Sequence, residues 1–164
     1  MMRSFSFSPA RRLGVALLTA TTFWFASAIP AQAQSPEDAV NHVLDQIHEQ
    51  ASRADFDAYF ALYTDDAVFL GTDASERWPI ADFKEYTRAR FATGTGWTYE
   101  MKERHVVVKG DVAWFDERLY NENLGNTRGS GVLLLTESGW KVAQYNLTML
   151  IPNEVAREVA KMHD

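Results

Sequence analysis

The sequence predicts an α+β domain in which helices come first and an antiparallel sheet follows. Between residues 36 and 91, apolar residues recur at spacings of three and four, which is typical of amphipathic helices. From Trp97 onward, apolar and polar residues alternate between short turns that contain glycine, which is typical of strands. With 46% hydrophobic residues and 23% charged residues in 164, the chain has the composition of an ordinary globular domain.

The first 33 residues have the pattern of a secretory signal peptide. Three arginines precede an apolar run from Leu13 to Ile29, and the small-x-small sequence Ala31-Gln32-Ala33 closes it. The run is short and carries hydroxyl residues, so a signal peptide is favoured over a membrane anchor. We expect cleavage near Ala33, a periplasmic or secreted product with no membrane span, and one domain over residues 34–164.

The charge and the composition of this domain exclude several functions. It keeps 13 basic and 22 acidic residues, a formal charge of −9, and has no run of Lys and Arg, so nucleic acid is a poor partner. The absence of cysteine excludes disulfides, thiol catalysis and thiolate zinc sites. Neither a metal-binding motif nor a phosphate-binding glycine loop is present, and the six-residue spacing of His42 and His48 puts them on different helix faces. We therefore expect no cofactor and no metal.

The helices are predicted in chain order. Ser35 and Pro36 begin the first helix, whose core stripe runs from Ala39 to Ala51. Asp55 caps a short second helix with an aromatic face, and a third helix ends near Gly94. Between the second and third helices we expect a brief strand over 67–70 and a loop over 71–79.

The strands follow the third helix. We expect one long or bulged strand over 97–109, a second over 112–120, a polar loop over 121–127 and a hairpin of 129–136 with 140–150. A short helix from Pro152 to about Met162 ends the chain. The sheet is expected to curl against the helices and bury its apolar face.

Several local strings, taken in order, resemble the SnoaL-like group of the nuclear transport factor 2-like superfamily. They are Asp55-Phe56-Asp57, Tyr63-Thr64-Asp65-Asp66-Ala67, Gly71-Thr72-Asp73, Glu76-Arg77-Trp78, Ala113-Trp114-Phe115-Asp116-Glu117, the run 128–133 and the run 140–146. The resemblance covers nearly all of residues 34–164. It implies a cone-shaped α+β barrel with three helices on a strongly curved antiparallel sheet, an enclosed pocket, and pairing of two copies through the sheet.

Ketosteroid isomerase is a relative of known chemistry within this resemblance, and its catalytic positions do not carry over. An ungapped match places its general base at Gly71, its oxyanion tyrosine at Ile47 and its protonated acid near Val132 or Leu133. None of these side chains can do that chemistry. We therefore predict that the chain does not isomerise ketosteroids in that way.

Strand alternation supplies the candidate pocket residues. In the strand over 112–120, Glu117 shares a face with apolar residues, where desolvation tends to raise a carboxyl pKa and suits it to proton transfer. Alternatively, Glu117 forms a structural salt bridge with Arg128 on the next strand. Gln144, Asn146 and Thr148 share a face of the last strand, and we expect them to form a polar floor beside Glu117.

Two loop residues complete the candidate site. Trp78 is expected near the pocket mouth or in the core, and Asp73 either acts as a second general base or tightens the turn.

Two functions follow. The first is an exported protein that binds a small apolar or amphipathic molecule, with cofactor-independent proton transfer by Glu117 or Asp73 and with Arg128 stabilising negative charge, as in an isomerase, cyclase or dehydratase. The second is a non-catalytic association module or homodimer. Its contact surface would be the opposite sheet face, with Trp114, Tyr145, Leu147 and Met149.

Overall fold

A computed structural model describes residues 34–162. The predicted signal peptide over 1–33 therefore lies outside the described residues. The first helix, α1, spans Pro36–Ser52 and begins where the Ser35 hydroxyl accepts the amide N–H of Asp38 at 3.0 Å. Its predicted core stripe is confirmed, since Val40, Leu44, Ile47 and Ala51 are buried.

The second and third helices bring aromatic side chains to the same core. Helix α2 spans Phe56–Phe60 and is capped by Asp55, whose carboxylate accepts the amide N–H of Ala58 at 3.1 Å. Helix α3 spans Ile80–Phe91 and buries Phe83 and Phe91. The chain leaves α3 through Gly94, whose φ of +73° is the left-handed conformation that glycine adopts without strain.

The first strands differ from the sequence prediction. Strand β1 covers Tyr63–Leu70, four residues more than expected, and the predicted loop over 71–79 ends in a short strand, β2, at Arg77–Pro79. β2 pairs antiparallel with β1. β1 also pairs in parallel with the last strand, β6, so the sheet is mostly rather than wholly antiparallel.

The remaining strands form the meander that alternation predicts. Strand β3 covers Glu100–Lys109, β4 covers Val112–Asn121, β5 covers Gly125–Thr136 and β6 covers Gly139–Met149. The six strands lie in the order β2-β1-β6-β5-β4-β3, and the sheet does not close. A short helix, α4, at Ala156–Ala160 buries no side chain.

One face of the sheet packs against the helices and the other is open to solvent. In β4 the alternation is regular, with Ala113, Phe115, Glu117 and Leu119 buried and their neighbours exposed. In β6 the alternation reverses partway along the strand. Val132 of β5 pairs with Gln144, whereas the next residue, Leu133, pairs with Val142. Ala143 is therefore the extra residue of a β-bulge.

Candidate active-site pocket

A cavity of about 180 Å³ lies between the helices and the inner face of the sheet. Eight of its lining residues are aromatic: Tyr59, Phe69, Trp78, Phe83, Tyr86, Trp97, Tyr99 and Tyr145. Apart from those rings, its polar side chains are His48, Thr72 and Glu76. A concave, mostly apolar cavity with a few polar groups is the usual form of a small-molecule site.

The rings are packed closely on one another. Phe69 stacks on Phe83 with centroids 4.1 Å apart and planes 8° apart, and on Tyr145 at 5.8 Å and 6°. The hydroxyl of Tyr59, which lines the cavity, shares a hydrogen bond of 2.7 Å with the hydroxyl of Tyr63. These contacts give the cavity walls that hold their shape without a ligand.

Glu117 lies next to this cavity and is fully buried. Its Oε2 accepts a hydrogen bond from Arg104 Nε at 2.7 Å, and its Oε1 accepts from the Tyr145 hydroxyl at 2.8 Å. The Arg104 side chain is only 4% exposed, and its Nη1 forms a salt bridge with Asp45 Oδ1 at 2.7 Å. The carboxylate is thus neutralised by a guanidinium that a second carboxylate supports.

His48 connects this buried network to the pocket. It lies on α1, lines the cavity, and its Nε2 is 2.8 Å from Glu117 Oε1. An ionised carboxylate only accepts hydrogen bonds, so Nε2 carries the proton. Nδ1 has no hydrogen-bond partner within residues 34–162, and in the neutral ring it is a proton acceptor.

The pKa of Glu117 is shifted in the direction opposite to our prediction. Burial alone opposes the charged form, but the hydrogen bond from His48, the charge of Arg104 and the hydrogen bond from Tyr145 outweigh it, and the pKa falls below its ordinary value of 4.5. Glu117 is therefore an ionised anchor. Its low pKa makes it a weak general base, and the expectation of a raised pKa is wrong.

The tyrosines around the carboxylate remain protonated donors. Burial, followed by the nearby charge of Glu117, raises the pKa of Tyr145 well above its ordinary range. Burial also raises the pKa of Tyr99 to about 12. Both side chains line the cavity; the Tyr145 hydroxyl donates to Glu117, and Tyr99 offers a neutral hydroxyl group there.

Arg128 is not the partner of Glu117. It lies on the exposed face of β5, where it pairs in register with the exposed Arg118 of β4. Glu117 is on the opposite face of the sheet. The predictions that Arg128 pairs with Glu117 and that it lines the pocket are therefore wrong.

The predicted polar floor on β6 is also wrong. The bulge at Ala143 shifts the alternation by one residue, so Gln144 and Thr148 are exposed, Asn146 is half-buried on the outer face, and none of them lines the cavity. The same shift turns Tyr145 and Leu147 inward, where both line the cavity. Their assignment to an outer contact surface is wrong for the same reason.

The remaining residues of the predicted site and contact surface are Trp78, Asp73, Trp114 and Met149, and the functional roles of the first three stay predictions. Trp78 lines the cavity and packs on Tyr86 with ring centroids 4.3 Å apart. Asp73 is exposed outside the cavity, and its carboxylate accepts the amide and hydroxyl of Ser75 at 2.8 and 2.6 Å, which tightens the turn. Trp114 is on the outer face and 41% exposed. Met149 shares the inner face with Tyr145 and Leu147 and is 45% exposed at the end of β6, so its assignment to the outer contact surface is wrong.

His48 and Arg104 are the site residues that the sequence prediction missed. His48 is four residues after Leu44 and three before Ala51 on the buried stripe of α1, a position that its spacing from His42 does not reveal. Arg104 stands directly opposite Glu117 in the β3–β4 register. Arg104 alternates in step with the partly buried Val106 and Val108 along β3, and this pattern predicts that Arg104 points inward.

Residues 34–162 contain no candidate metal site and no candidate membrane-spanning helix. No three or more His, Asp or Glu side chains in this range are grouped so that they could hold a metal ion. No helix in the same range combines the length and the apolar character needed to cross a membrane.

Comparison with solved structures identifies the same fold in several bacterial proteins. A ketosteroid isomerase-like protein from Erwinia carotovora atroseptica is 23% identical, with 72% of this chain and 98% of that chain covered and a TM-score of 0.56. A protein proposed to be an aromatic ring hydroxylase, from Novosphingobium aromaticivorans, is 22% identical over 70% and 88%, with a TM-score of 0.58. An NTF2-like protein of unknown function from Pseudomonas putida is 15% identical over 73% and 89%, with a TM-score of 0.61. At these identities the likeness establishes the fold alone.

The sequence itself gives the family. No curated protein matches the chain significantly. The model of the SnoaL-like domain matches residues 40–152, which is most of the chain and includes all six strands and the pocket. The chain therefore belongs to the SnoaL-like domain family of the nuclear transport factor 2-like superfamily.

Proposed function

We propose that this protein binds a small, largely apolar molecule in the aromatic cavity and that His48 exchanges a proton with it. The observation that carries the proposal is the contact between His48 and Glu117. A buried, ionised carboxylate holds Nε2 at 2.8 Å, while Nδ1 has no partner within residues 34–162 and the ring borders the cavity. This arrangement fixes the tautomer in which Nδ1 is the base.

A neighbouring hydroxyl supports proton transfer without a cofactor. Tyr99 is neutral at physiological pH and lines the same cavity as His48, whereas the Tyr145 hydroxyl already donates to Glu117. A neutral hydroxyl can donate to an oxygen that becomes negative as a neighbouring carbon loses its proton. An isomerase, cyclase or dehydratase uses such a step. His48 takes the base role that the sequence assigned to Glu117 or Asp73, and Glu117 orients it.

Binding and proton transfer are tested separately with 1-tetralone, an aromatic ketone with an exchangeable proton beside its carbonyl. Quenching of tryptophan fluorescence measures binding, because Trp78 and Trp97 line the cavity. Proton NMR in deuterated buffer measures exchange of the carbon-bound proton. We expect the protein to bind the ketone and to accelerate this exchange.

The His48→Gln variant is compared with His42→Gln, a matched change at an exposed position of the same helix. We expect His48→Gln to lose at least roughly 100-fold in the exchange rate and to keep binding, whereas His42→Gln behaves as wild type. Equal exchange rates for wild type and His48→Gln would overturn the proton-transfer role. Absence of any bound small molecule, both in titrations and in native mass spectra of the purified protein, would overturn the binding function.

A second role, homodimer formation, is favoured by an apolar patch on the outer sheet face. Val107, Trp114 and Val132 lie side by side in the strand register, and Val112 and Leu134 form the adjacent row. Four of these five side chains are between 36% and 41% exposed. Contiguous exposed apolar residues on a sheet commonly form an interface.

Light scattering after size exclusion tests the dimer. We expect wild type and Met162→Lys to be dimers and Trp114→Lys to be a monomer, since Met162 is exposed outside the patch. A wild-type monomer, or a Trp114→Lys dimer, would overturn this interface.

Export is a separate inference from the sequence of residues 1–33. We infer that this segment directs the chain to the periplasm or the medium and is removed after Ala33. N-terminal sequencing of the exported product should then begin at Gln34. A cytoplasmic, uncleaved chain would contradict the inference.

A further inference from the structure

The charged groups around the cavity are unevenly distributed. Within residues 34–162, neither a lysine nor an arginine belongs to the cavity lining, and Glu76 is its single carboxylate. Glu117, the nearest buried carboxylate, already has Arg104 as its partner. The cavity therefore presents one negative group that the buried network leaves uncompensated.

Glu76 is held in place although it forms no salt bridge with any residue of 34–162. Its Oε2 accepts the amide N–H of Asp73 at 3.2 Å, and its side chain lies against Gly71, where any Cβ would collide with it. The side chain is half-buried and borders the cavity. A partly buried carboxylate of this kind attracts a cation, because removing it from water weakens its hydration.

The aromatic rings near Glu76 present the same sign of charge. Trp78 and Tyr86 have centroids 4.3 Å apart, and Tyr86 lies nearly parallel to Trp97 at 6.2 Å and 11°. The faces of Trp and Tyr rings carry partial negative charge and attract cations, with Trp the strongest. Aromatic rings combined with a carboxylate are the arrangement that binds quaternary ammonium groups.

We propose that the ligand of this cavity is an organic cation, an aromatic ring with a quaternary or tertiary ammonium group. The ring occupies the apolar interior, and the ammonium group lies among Trp78, Tyr86, Trp97 and the Glu76 carboxylate. The proposal rests on the proposed binding function and specifies its ligand class. It also excludes carboxylate and phosphate ligands, which Glu76 and the ring faces repel.

Two probes of the same shape isolate the charge. (4-Hydroxyphenyl)trimethylammonium and 4-tert-butylphenol differ in the replacement of a cationic nitrogen by a neutral carbon. Titration calorimetry with the mature domain, residues 34–164, measures both affinities. We expect the cation to bind at least roughly tenfold more tightly, which corresponds to one cation–π contact together with the carboxylate.

Variants assign the preference to particular side chains. Glu76→Gln keeps an acceptor for the Asp73 amide, so the loop is retained, and it should lower the affinity for the cation roughly tenfold and for the neutral phenol less than about twofold. Glu137→Gln makes the same change of charge on the β5–β6 turn and should alter neither affinity. Tyr86→Leu should reduce the preference for the cation, whereas Tyr86→Phe, which keeps a ring face, should retain most of it.

The outcomes separate this proposal from the one it rests on. If the phenol binds as tightly as the cation, or if Glu76→Gln leaves the preference unchanged, the cation proposal is overturned while the pocket remains a binding site. If neither probe changes the tryptophan fluorescence or gives heat, both this proposal and binding in this cavity are overturned.

Discussion

The Tyr145 hydroxyl donates to Glu117 Oε1 at 2.8 Å across an entire intervening strand. Glu117 is on β4 and Tyr145 on β6, and the residue of β5 opposite Glu117 is Gly129. A Cβ at Gly129 would collide with the Tyr145 hydroxyl and would lie 2.9 Å from Glu117 Oε1. Because Gly129 has no side chain, there is room for the hydrogen bond between the Tyr145 hydroxyl and Glu117.

This relationship predicts that Gly129→Ala destabilises the fold by about 1–3 kcal/mol, the usual cost of inserting a methyl group into a packed site. Urea unfolding of the variant measures the loss, with Ser130→Ala, at the next position and on the outer face, as the control. In a Tyr145→Phe background the hydroxyl that meets the new methyl group is absent, so Gly129→Ala should cost less there. An equal cost in both backgrounds would show that the crowding lies elsewhere.

Glu117→Gln should be strongly destabilising, by about 3–5 kcal/mol, because it leaves Arg104 with only its outer carboxylate partner in a buried site. The new amide NH₂ also faces groups that donate. Chemical unfolding of the variant measures the effect. The matched change Glu103→Gln breaks the exposed pair of Glu103 with Arg118 and should leave stability nearly unchanged. If the two variants lose the same free energy of unfolding, the buried network stabilises the fold no more than the exposed pair does.

Acid should weaken the same network. The pKa of Glu117 in the folded state lies below its ordinary value of 4.5, so folding favours the ionised form. This contribution is fully present above the unfolded-state value and is lost as the pH falls through the folded-state value. The difference in unfolding free energy between wild type and Glu117→Gln should therefore be constant above about pH 5 and shrink at lower pH. A difference that does not change with pH would contradict an ionised, paired Glu117.

Much of the fold could be predicted because its signals are local. Ser35 and Asp55 cap helices through their own side chains, and β4 alternates strictly because the helices cover one of its faces and solvent the other. The parallel pairing of β1 with β6 depends on residues about 80 positions apart, and no local pattern encodes it.

The site could be predicted only in part. Glu117 was placed correctly on the inner face, but its partners come from β3 and α1, 13 and 69 positions away. Arg128 was the predicted partner of Glu117 because it is on the adjacent strand. Its outward direction follows from the register of β4 with β5, which composition does not reveal. The bulge at Ala143 had a larger effect, since it reversed the predicted direction of every candidate residue on β6.

That bulge leads to the last prediction. Deleting Ala143 removes the extra residue, so Val142 and Gln144 become consecutive and strict alternation is restored in β6, a strand that has neighbours on both sides. Val142 then still points inward and Gln144 outward, and Tyr145 and Leu147 keep their inward direction. Inserting one alanine between Gln144 and Tyr145 has the opposite effect, because Tyr145 and Leu147 turn to solvent if the pairing before the insertion is kept, and the Tyr145 contact with Glu117 is lost. The loss of two large buried side chains predicts that the insertion destabilises the fold by at least about 4 kcal/mol and removes the near-ultraviolet circular dichroism of the aromatic pocket, whereas the deletion should retain that signal with a far smaller loss of stability. An insertion variant as stable as the deletion variant would mean that β6 absorbs the added residue in a second bulge, and the inward direction of Tyr145 would then not depend on the residue count.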